Sequence, residues 1–563
     1  MSAQFDPAAP STGLPARMTG GQALARQLAR EGVRDIFGVP GVQLDWAVDA
    51  LADMQDRIRL LVPRHEQATS YMADGYARAS GRTGVSMVVP GPGMLNALAG
   101  LATGYACSSR MLFLAAQIPS TLIGRGLGML HELPDQSGVL ERLVKWRGLA
   151  DSPAAVPRTV RAAMRQLQAG RPRPVGLELP QDVLQRADDV MLAAVPPALG
   201  PAPCDPVLVE RVAGLVRGAR LPVIVAGGGI VPAGASAALA RLAQRLSLPV
   251  LVTENGTGAL SSRHPMALTW LASRALLPHA DVVLCVGSRF IDPQGAPPGL
   301  RPDAQLVLVN AEAADLGVPR RAAIAIHGDA RVALEALDAA LDGHAARDRG
   351  REVQCLREWT EARLGDIAPQ REWLAALRRA IPDDGFLVSD LTQVGYPAHL
   401  AYPVHEPGTF LGAGYQGTLG HAYCTALGVA AAHPDRAVVA IAGDGGFGWT
   451  LQELATARRY GLPVVVVVFN NEAFGNVRLL QRRQFGRDYA TELTNPDFMT
   501  LARAFGVDGQ RVSSPQALAG ALADAIAARR PALIEATTGD FPSPWHLIRG
   551  NTPGDPGLLG PSI

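Results

Sequence analysis

Apolar runs alternate with amphipathic, helix-like segments in three successive regions of the chain. The runs that predict buried strands lie at residues 85–89, 111–116 and 175–179, at 222–230, 249–256, 281–290 and 305–312, and at 386–389, 437–441, 464–469 and 532–536. Continuous apolar runs are typical of strands that are buried on both faces of a parallel sheet. The alternation therefore predicts an α/β fold with doubly wound parallel sheets and right-handed crossovers in each region.

Two connecting segments separate these regions. Residues 195–206 read VPPALGPAPCDP, a linker rich in proline and alanine. Residues 334–372 are rich in Ala, Arg and Asp, and we interpret them as exposed helix and connection. The predicted domains are therefore residues 15–190, 205–345 and 370–545, with a C-terminal tail at 546–563. A length of 563 residues is sufficient for three domains of ordinary size.

Composition excludes several classes of protein. A net charge of +1 gives no electrostatic reason to bind nucleic acid or an anionic membrane. Lys145 is the only lysine, so the chain has no GK[ST] phosphate loop, and a Schiff-base enzyme would have to use this one residue. The five cysteines show no CxxC spacing, which argues against a zinc or dithiol site. Without a signal-peptide core or a run of membrane-spanning length, we expect a cytoplasmic protein.

Two of the apolar runs end in small and oxygen-bearing residues, in the sequences AGDGGF and FNNEAFG. Ligands of open α/β sheets bind at this carboxyl edge. Asp444 offers a carboxylate, Asn471 an amide oxygen and Ala473 a backbone carbonyl, which together form a hard-oxygen set suited to Mg²⁺. Gly445 and Gly446 have no side chains to block a diphosphate. Each dipeptide alone is common in turns, but the pair at one-helix spacing predicts a metal–diphosphate site.

A second motif lies far upstream, in the sequence PRHEQATSYMADG. Glu66 follows an apolar stretch at 60–62 and precedes a helix-like segment, where a lone glutamate could simply favour the helix dipole. Together with the Asp444 and Asn471 motif, it resembles the cofactor signature of thiamine diphosphate enzymes of the acetolactate synthase, pyruvate oxidase and 2-oxo acid decarboxylase superfamily. The resemblance covers nearly the whole chain. It implies a pyrimidine-binding domain, a Rossmann-like central domain and a diphosphate-binding domain.

The resemblance also implies roles for individual residues. In that superfamily a glutamate at the place of Glu66 hydrogen-bonds N1′ of the cofactor's aminopyrimidine, so that N4′ can take the proton from C2. The carbonyl of Gly417 would accept a hydrogen bond from N4′, Leu419 would hold the cofactor bent, and Gln393 would lie near the diphosphate. Glu66 would come from one subunit and the Mg²⁺ site from the other, in a homodimer or homotetramer.

A nucleotide in the central domain stays an open question at this point. The glycines at 227–229 follow a strand, as nucleotide-binding glycines do, but they lack the full GxGxxG frame. Acetolactate synthases hold FAD in this domain, and the best match to that pattern is Arg289 in the sequence GSRF. FAD is therefore uncertain as a second cofactor.

The acceptor pocket departs from the acetolactate synthase pattern. Asn476 and Leu480 stand where those enzymes have methionine and tryptophan, and His131 stands where they have glutamine. A histidine there either shuttles protons, because imidazole titrates near neutral pH, or only shapes the pocket. The pattern therefore makes typical acetolactate synthesis doubtful.

The expected reaction is decarboxylation of a 2-oxo acid such as pyruvate, with ligation of the acyl group to an aldehyde or a second 2-oxo acid. Alternatives are simple decarboxylation to an aldehyde and cleavage of a cyclic or vicinal diketone. A non-catalytic homologue is the alternative from another class, and the presence of Glu66, Asp444 and Asn471 argues against it.

Overall fold

The computed structural model describes residues 14–197, 200–291, 298–317 and 320–549, so most of the predicted C-terminal tail lies outside the described residues. Within them the chain forms three six-stranded sheets and one two-stranded ribbon. All strand pairs of the large sheets are parallel, and the ribbon is antiparallel. The predicted fold class, α/β with three doubly wound parallel sheets, is confirmed.

The strands, in chain order, are β1 (Ala16–Thr19), β2 (Asp35–Gly38), β3 (Arg59–Leu61), β4 (Gly84–Val88), β5 (Met111–Gln117), β6 (Trp146–Leu149), β7 (Val175–Pro180), β8 (Ala187–Val190), β9 (Pro222–Ala226), β10 (Val250–Val252), β11 (Ala267–Leu268), β12 (Val282–Val286), β13 (Gln305–Asn310), β14 (Ile324–His327), β15 (Phe386–Ser389), β16 (Phe410–Gly412), β17 (Val438–Gly443), β18 (Val464–Asn470), β19 (Asp508–Val512) and β20 (Ala532–Thr537).

The α-helices are α1 (Gly20–Arg30), α2 (Asp45–Ala52), α3 (Glu66–Ser80), α4 (Pro92–Cys107), α5 (Gln136–Glu141), α6 (Val156–Gln168), α7 (Gln181–Gln185), α8 (Pro206–Gly218), α9 (Ser236–Leu246), α10 (Ser273–Leu276), α11 (Ala330–Ala340), α12 (Gly350–Leu364), α13 (Ala368–Ala380), α14 (Gly395–Ala401), α15 (His421–Ala432), α16 (Asp444–Phe447), α17 (Leu454–Tyr460), α18 (Gly475–Phe485), α19 (Phe498–Phe505), α20 (Pro515–Ala528) and α21 (Trp545–Ile548).

Each large sheet winds outward in both directions from its first strand. The order is β3-β2-β4-β5-β7-β6 in the N-terminal sheet, β11-β10-β9-β12-β13-β14 in the middle sheet and β16-β15-β17-β18-β20-β19 in the C-terminal sheet. The strand order therefore reverses beside β2, β9 and β15. Ligand crevices of open parallel sheets lie at the carboxyl ends of the strands at such points.

The predicted exposed connection at 334–372 differs in the structure. Helix α12 buries Val353, Leu356 and Trp359 in the core of the middle domain. Its charged residues lie between these apolar positions, so composition alone concealed an amphipathic stripe.

Helices α3 and α15 cross in close contact and join the N-terminal and C-terminal sheets in one apolar core. A Cβ atom on Gly75 would lie 2.0 Å from the carbonyl oxygen of Thr425, and one on Gly428 would lie 1.9 Å from the carbonyl oxygen of Met72. Only glycine allows this approach, because each helix meets the backbone of the other rather than a movable side chain.

Two sequence expectations are consistent with the described residues. None of the described helices has the length and apolar character needed to cross a membrane. All five cysteines are free, as the scattered spacing predicted.

We predict that Gly428→Ala destabilises the protein by about 3 kcal/mol or more, the upper range for overpacking, because backbone must move to admit the methyl group. The measurement is thermal and urea-induced unfolding followed by circular dichroism. Gly520→Ala is the matched control, since Gly520 lies in α20 with nothing within 4 Å of its Cβ position. That control should be neutral or stabilising by up to about 1 kcal/mol. Equal stability of both variants would contradict the prediction.

Candidate active site

The predicted metal–diphosphate residues lie along one edge of the C-terminal sheet. Asp444 follows β17, Asn471 follows β18 and Gln393 follows β15, at the carboxyl ends of three neighbouring strands. The amide nitrogen of Asn471 donates to Oε1 of Gln393 at 3.3 Å. This bond uses the nitrogen end of the Asn471 amide, so its oxygen end is available to a cation.

Asp444 is buried and held in one orientation. Its Oδ2 accepts a hydrogen bond of 2.8 Å from the amide of Asn495. Burial raises the pKa of Asp444, and the hydrogen bonds from Asn495 and from the backbone N–H groups of Gly445, Ala473 and Glu472 oppose this rise. The carboxylate therefore contacts the turn that carries Ala473, one of the three predicted metal ligands.

The two asparagines of the NN pair have different tasks. Asn470 builds the turn, because its Oδ1 accepts from the backbone N–H of Glu472 at 3.1 Å. Its amide nitrogen donates to the buried Glu535 at 2.8 Å. Glu472 has a positive φ of 53°, so the chain reverses sharply here and Asn471 points away from its neighbour, towards Gln393. The carbonyl of Ala473 accepts from the N–H of Gly475 at 2.8 Å and keeps a second lone pair for a ligand.

A glycine-lined cradle lies beside this edge. A Cβ on Gly445 would lie 2.6 Å from the ring of Phe474, so a side chain there would collide. Gly417 has a φ of 59° and Gly420 one of 74°, and Leu419 between them is 41% exposed. A Cβ on Gly446 would lie 3.9 Å from the Leu419 side chain. Gly446 and the partly exposed Leu419, two of the predicted cofactor residues, are therefore neighbours at this edge.

The predicted residues of the N-terminal domain lie at the carboxyl edge of the N-terminal sheet. Glu66 is the first residue of α3, and its Oε2 accepts a hydrogen bond of 3.0 Å from the amide of Asn96. His131 has a positive φ of 68°, and its Nδ1 is 3.2 Å from Oε1 of Gln43, which follows β2. These side-chain hydrogen bonds of Glu66 and His131 are made within their own domain rather than with the Asp444 edge.

The two acceptor-side residues lie on α18. The amide nitrogen of Asn476 donates to the carbonyl of Leu391 at 3.3 Å, which ties this helix to the segment after β15. Leu480 lies one turn further on and is 44% exposed. Asn476 is therefore partly a structural residue, while Leu480 is free to contact a ligand.

In the middle sheet the glycines at 227–229 have a packing role. A Cβ on Gly227 would lie 2.3 Å from the carbonyl oxygen of Gly287, so the loops after β9 and β12 touch. Arg289 lies two residues after Gly287 and three residues before the segment 292–297, which is outside the described residues. These facts neither require nor exclude a nucleotide, and FAD stays a prediction.

Sequence reasoning missed four side chains that support the site: Asn96, Glu453, Asn470 and Asn495. Each acts on a predicted residue or on the backbone next to one. Asn470 was visible as half of the NN pair. The other three are distant in sequence from the residues they hold, so only the fold reveals them.

Three parallel-sheet domains, with candidate cofactor residues at the carboxyl edges of the first and the third sheet, are the arrangement of a class of cofactor-dependent enzymes. Family models of thiamine pyrophosphate enzymes match the chain as an N-terminal TPP binding domain at residues 18–139, a central domain at 209–337 and a C-terminal TPP binding domain at 390–536. The chain therefore belongs to the thiamine pyrophosphate (thiamine diphosphate) enzyme family, in its acetolactate synthase and pyruvate oxidase group. The predicted family and its thiamine cofactor are confirmed.

Curated relatives are similar over almost their whole length. The probable acetolactate synthase large subunit of Methanocaldococcus jannaschii is 34% identical, with 92% of this chain and 91% of the relative covered. The acetolactate synthase isozyme 3 large subunit of Escherichia coli is 32% identical, with 90% and 92% covered. A probable 2-ketoarginine decarboxylase of Pseudomonas aeruginosa is 35% identical, with 87% and 88% covered.

Proposed function

We propose that this enzyme decarboxylates a 2-oxo acid and ligates the acyl group to an aldehyde or a second 2-oxo acid, in the manner of an acetolactate synthase. The observation that carries the proposal is the oriented set of Asp444, Asn471 and Gln393 at one sheet edge, in a chain similar to acetolactate synthases along its whole length. The donor is pyruvate or a longer 2-oxo acid.

Simple decarboxylation is the second candidate. The relative named as a probable 2-ketoarginine decarboxylase is as similar to this chain as the synthases are. Both reactions begin with the same loss of CO₂ and differ in whether a carbon electrophile or a proton ends the cycle. The acceptor side of the site therefore decides between them.

The C-terminal edge holds the diphosphate through Mg²⁺. Asp444, the Asn471 amide oxygen and the Ala473 carbonyl would hold the ion as hard oxygen ligands, and the diphosphate would supply further oxygens. The fit is supported by the buried Asp444 carboxylate and by Gly445 and Gly446, which leave the backbone after Asp444 without side chains. Among the described residues no group of three or more His, Cys, Asp or Glu side chains could hold a metal ion. The proposed ligand set contains one carboxylate, one amide oxygen and one backbone carbonyl.

Glu66 acts on the aminopyrimidine end. When bound, thiamine diphosphate supplies a carbanion at C2 and an electron sink for decarboxylation. The Asn96 amide orients the Glu66 carboxylate, which exchanges a proton at N1′. The Gly417 carbonyl would accept a hydrogen bond from N4′, and the Leu419 side chain would support the cofactor.

A second copy of the chain completes the site. Glu66 and Asp444 lie on different sheets and have separate contacts within one chain. Large apolar side chains on the segments around the two edges are exposed, including Leu130, Trp449 and Phe485. A homodimer with two-fold symmetry, or a tetramer of two such dimers, would cover them and bring Glu66 to the partner's cradle.

The acceptor binds between the His131 loop and α18. His131, which is held by Gln43, would move a proton at the substrate or shape the pocket. Leu480 replaces a larger aromatic residue and opens apolar space for longer acceptors.

We predict that Asp444→Ala lowers the affinity for thiamine diphosphate with Mg²⁺ by about 100-fold, because the metal loses its only carboxylate from the protein. Calorimetric titration of the wild type, of Asp444→Ala and of a control variant measures this affinity. Asp508→Ala is the control, since Asp508 is an exposed carboxylate of the same sheet, paired with Arg530. Normal cofactor affinity of Asp444→Ala would refute the metal assignment.

We predict that Glu66→Gln retains the fold and most cofactor binding but slows C2–H exchange of the bound cofactor by about 100-fold or more. Acid-quench NMR of the exchange measures it. Asp45→Asn is the control, because Asp45 is an exposed acid in the first turn of α2 and tests a pure helix-dipole role. An unchanged exchange rate in Glu66→Gln would contradict the catalytic role.

We predict that the wild-type enzyme joins the acyl group to medium-length or aromatic aldehydes in preference to pyruvate. Leu480→Trp should shift the products towards small acceptors, because overfilling the pocket costs about 1–3 kcal/mol for a long one. Competition between pyruvate and a longer aldehyde, with products identified by mass spectrometry, tests both statements. Exclusive acetolactate formation would contradict the broadened acceptor range, and exclusive release of free aldehyde would contradict carboligation. An unchanged ratio in Leu480→Trp would show that Leu480 does not line the acceptor site.

A further inference from the structure

Glu453 is a fully buried carboxylate that the site described so far does not use. It ends the short 3-10 helix Leu451–Glu453, in the segment that follows Asp444 in the C-terminal domain. Its two oxygens do not face the cradle. They face the N-terminal domain, towards the chain that leads into Glu66.

The hydrogen bonds of Glu453 converge on two backbone groups. Its Oε1 accepts from the N–H groups of Arg64 and His65, both at 3.1 Å, and its Oε2 accepts again from Arg64 at 3.0 Å. The hydroxyl of Thr456 donates to Oε2 at 2.5 Å. In all four hydrogen bonds the partner is the donor, and a carboxylate, which only accepts, suits this position.

The segment around Glu453 makes two further hydrogen bonds to residues near Glu66 in the chain. The hydroxyl of Tyr460 accepts from the backbone N–H of Val62 at 2.8 Å. The side chain of Gln67 donates to the carbonyl of Trp449 at 2.9 Å. Hydrogen bonds from the C-terminal domain thus fix residues 62–67 on both sides of Glu66. Of the groups that make these bonds, only the Glu453 carboxylate is charged.

Glu535 provides a contrast within the same domain. It is equally buried, but it accepts from the Asn470 amide at 2.8 Å and from Nε of Arg511 at 2.7 Å. Glu535 therefore supports the turn that carries Asn471, whereas Glu453 supports the start of α3.

We infer that Glu453 is a positioning residue for Glu66, acting through the backbone of Arg64 and His65. The inference rests on the proposed role of Glu66. A misplacement of a catalytic group by about 1 Å can cost about 100-fold in rate, so a rigid anchor next to Glu66 has a direct effect on proton transfer. Although Glu453 follows the diphosphate motif in sequence, it acts on Glu66, in the half of the site that binds the aminopyrimidine.

The test compares three substitutions. Glu453→Leu removes the acceptors and leaves two buried N–H groups unmatched. Glu453→Gln keeps both N–H groups hydrogen-bonded, because the Oε1 of glutamine can accept from both of them while its amide nitrogen donates to the Thr456 hydroxyl. Glu535→Leu is the control for damage to a buried carboxylate of the same domain.

We expect Glu453→Leu to slow C2–H exchange at saturating cofactor by about 10-fold or more, with affinity for thiamine diphosphate and Mg²⁺ within about 3-fold of wild type. Glu453→Gln should recover exchange to within about 3-fold. Glu535→Leu should show the reverse pattern, with weaker affinity and near-normal exchange at saturation. In the cofactor-free protein, amide hydrogen exchange of peptides covering 62–68 should rise in Glu453→Leu only.

The opposite pattern overturns the inference. Weaker cofactor binding with normal C2–H exchange in Glu453→Leu would place its role in its own domain. Failure of Glu453→Gln to recover exchange would mean that the charge, rather than the hydrogen bonds, is needed. If Glu453→Leu does not fold, Glu453→Asp gives the same comparison, because its shorter side chain keeps the charge but cannot reach both N–H groups.

Subunit mixing tests the assignment separately. If Glu66 and Asp444 meet between chains, Glu453→Leu should regain activity when mixed with Asp444→Ala and none when mixed with Glu66→Gln. The reverse result overturns the inference. Glu66→Gln with Asp444→Ala is the control pair: without recovery there, the proposed assembly fails, and the split between exchange and affinity alone decides on Glu453. Normal exchange in Glu66→Gln itself would remove the basis of the inference.

Discussion

The backbone contact between α3 and α15 is the constraint on which the arrangement of the site depends. Gly75 and Gly428 allow the two helices to touch, and the helices join the N-terminal and C-terminal sheets. Both helices also begin at the site. Glu66 is the first residue of α3, and Leu419 stands just before α15. One crossing therefore fixes Glu66, the proposed partner of the aminopyrimidine, and Leu419, the proposed cofactor support, relative to each other within a chain.

Buried polar contacts give this crossing a unique register. Tyr71 on α3 is hydrogen-bonded to the hydroxyl of Thr418 at 2.9 Å, inside the segment that carries Gly417 and Leu419. About two turns further along α3, Arg78 donates to the carbonyl of Gly412 at 2.9 Å and, within the helix, to Asp74 at 3.2 Å. Sliding α3 would break the Tyr71–Thr418 and Arg78–Gly412 hydrogen bonds, at a cost of about 1–3 kcal/mol for each group left unpaired in the interior.

The predictable part of the structure is the part in which one segment carries its own signal. The strands β15, β17, β18 and β20 are continuous apolar runs, and the edge motifs follow them directly. The polar edge strand β19, with the sequence DGQRV, gave no such signal, because only one of its residues is buried. Glu453 and Asn495 were equally invisible, since their importance comes from contacts with residues distant in sequence.

The site combines a rigid cofactor half with a more open substrate half. Asp444 is buried and hydrogen-bonded, while α18 contains no fully buried residue and His131 lies on a loop with positive φ. Loosely packed elements tolerate changes of side chain at small cost in stability. Under the proposed assignment, changes around Leu480 would alter the choice of acceptor without disturbing Glu66. This division agrees with a chain equally similar to synthases and to a decarboxylase.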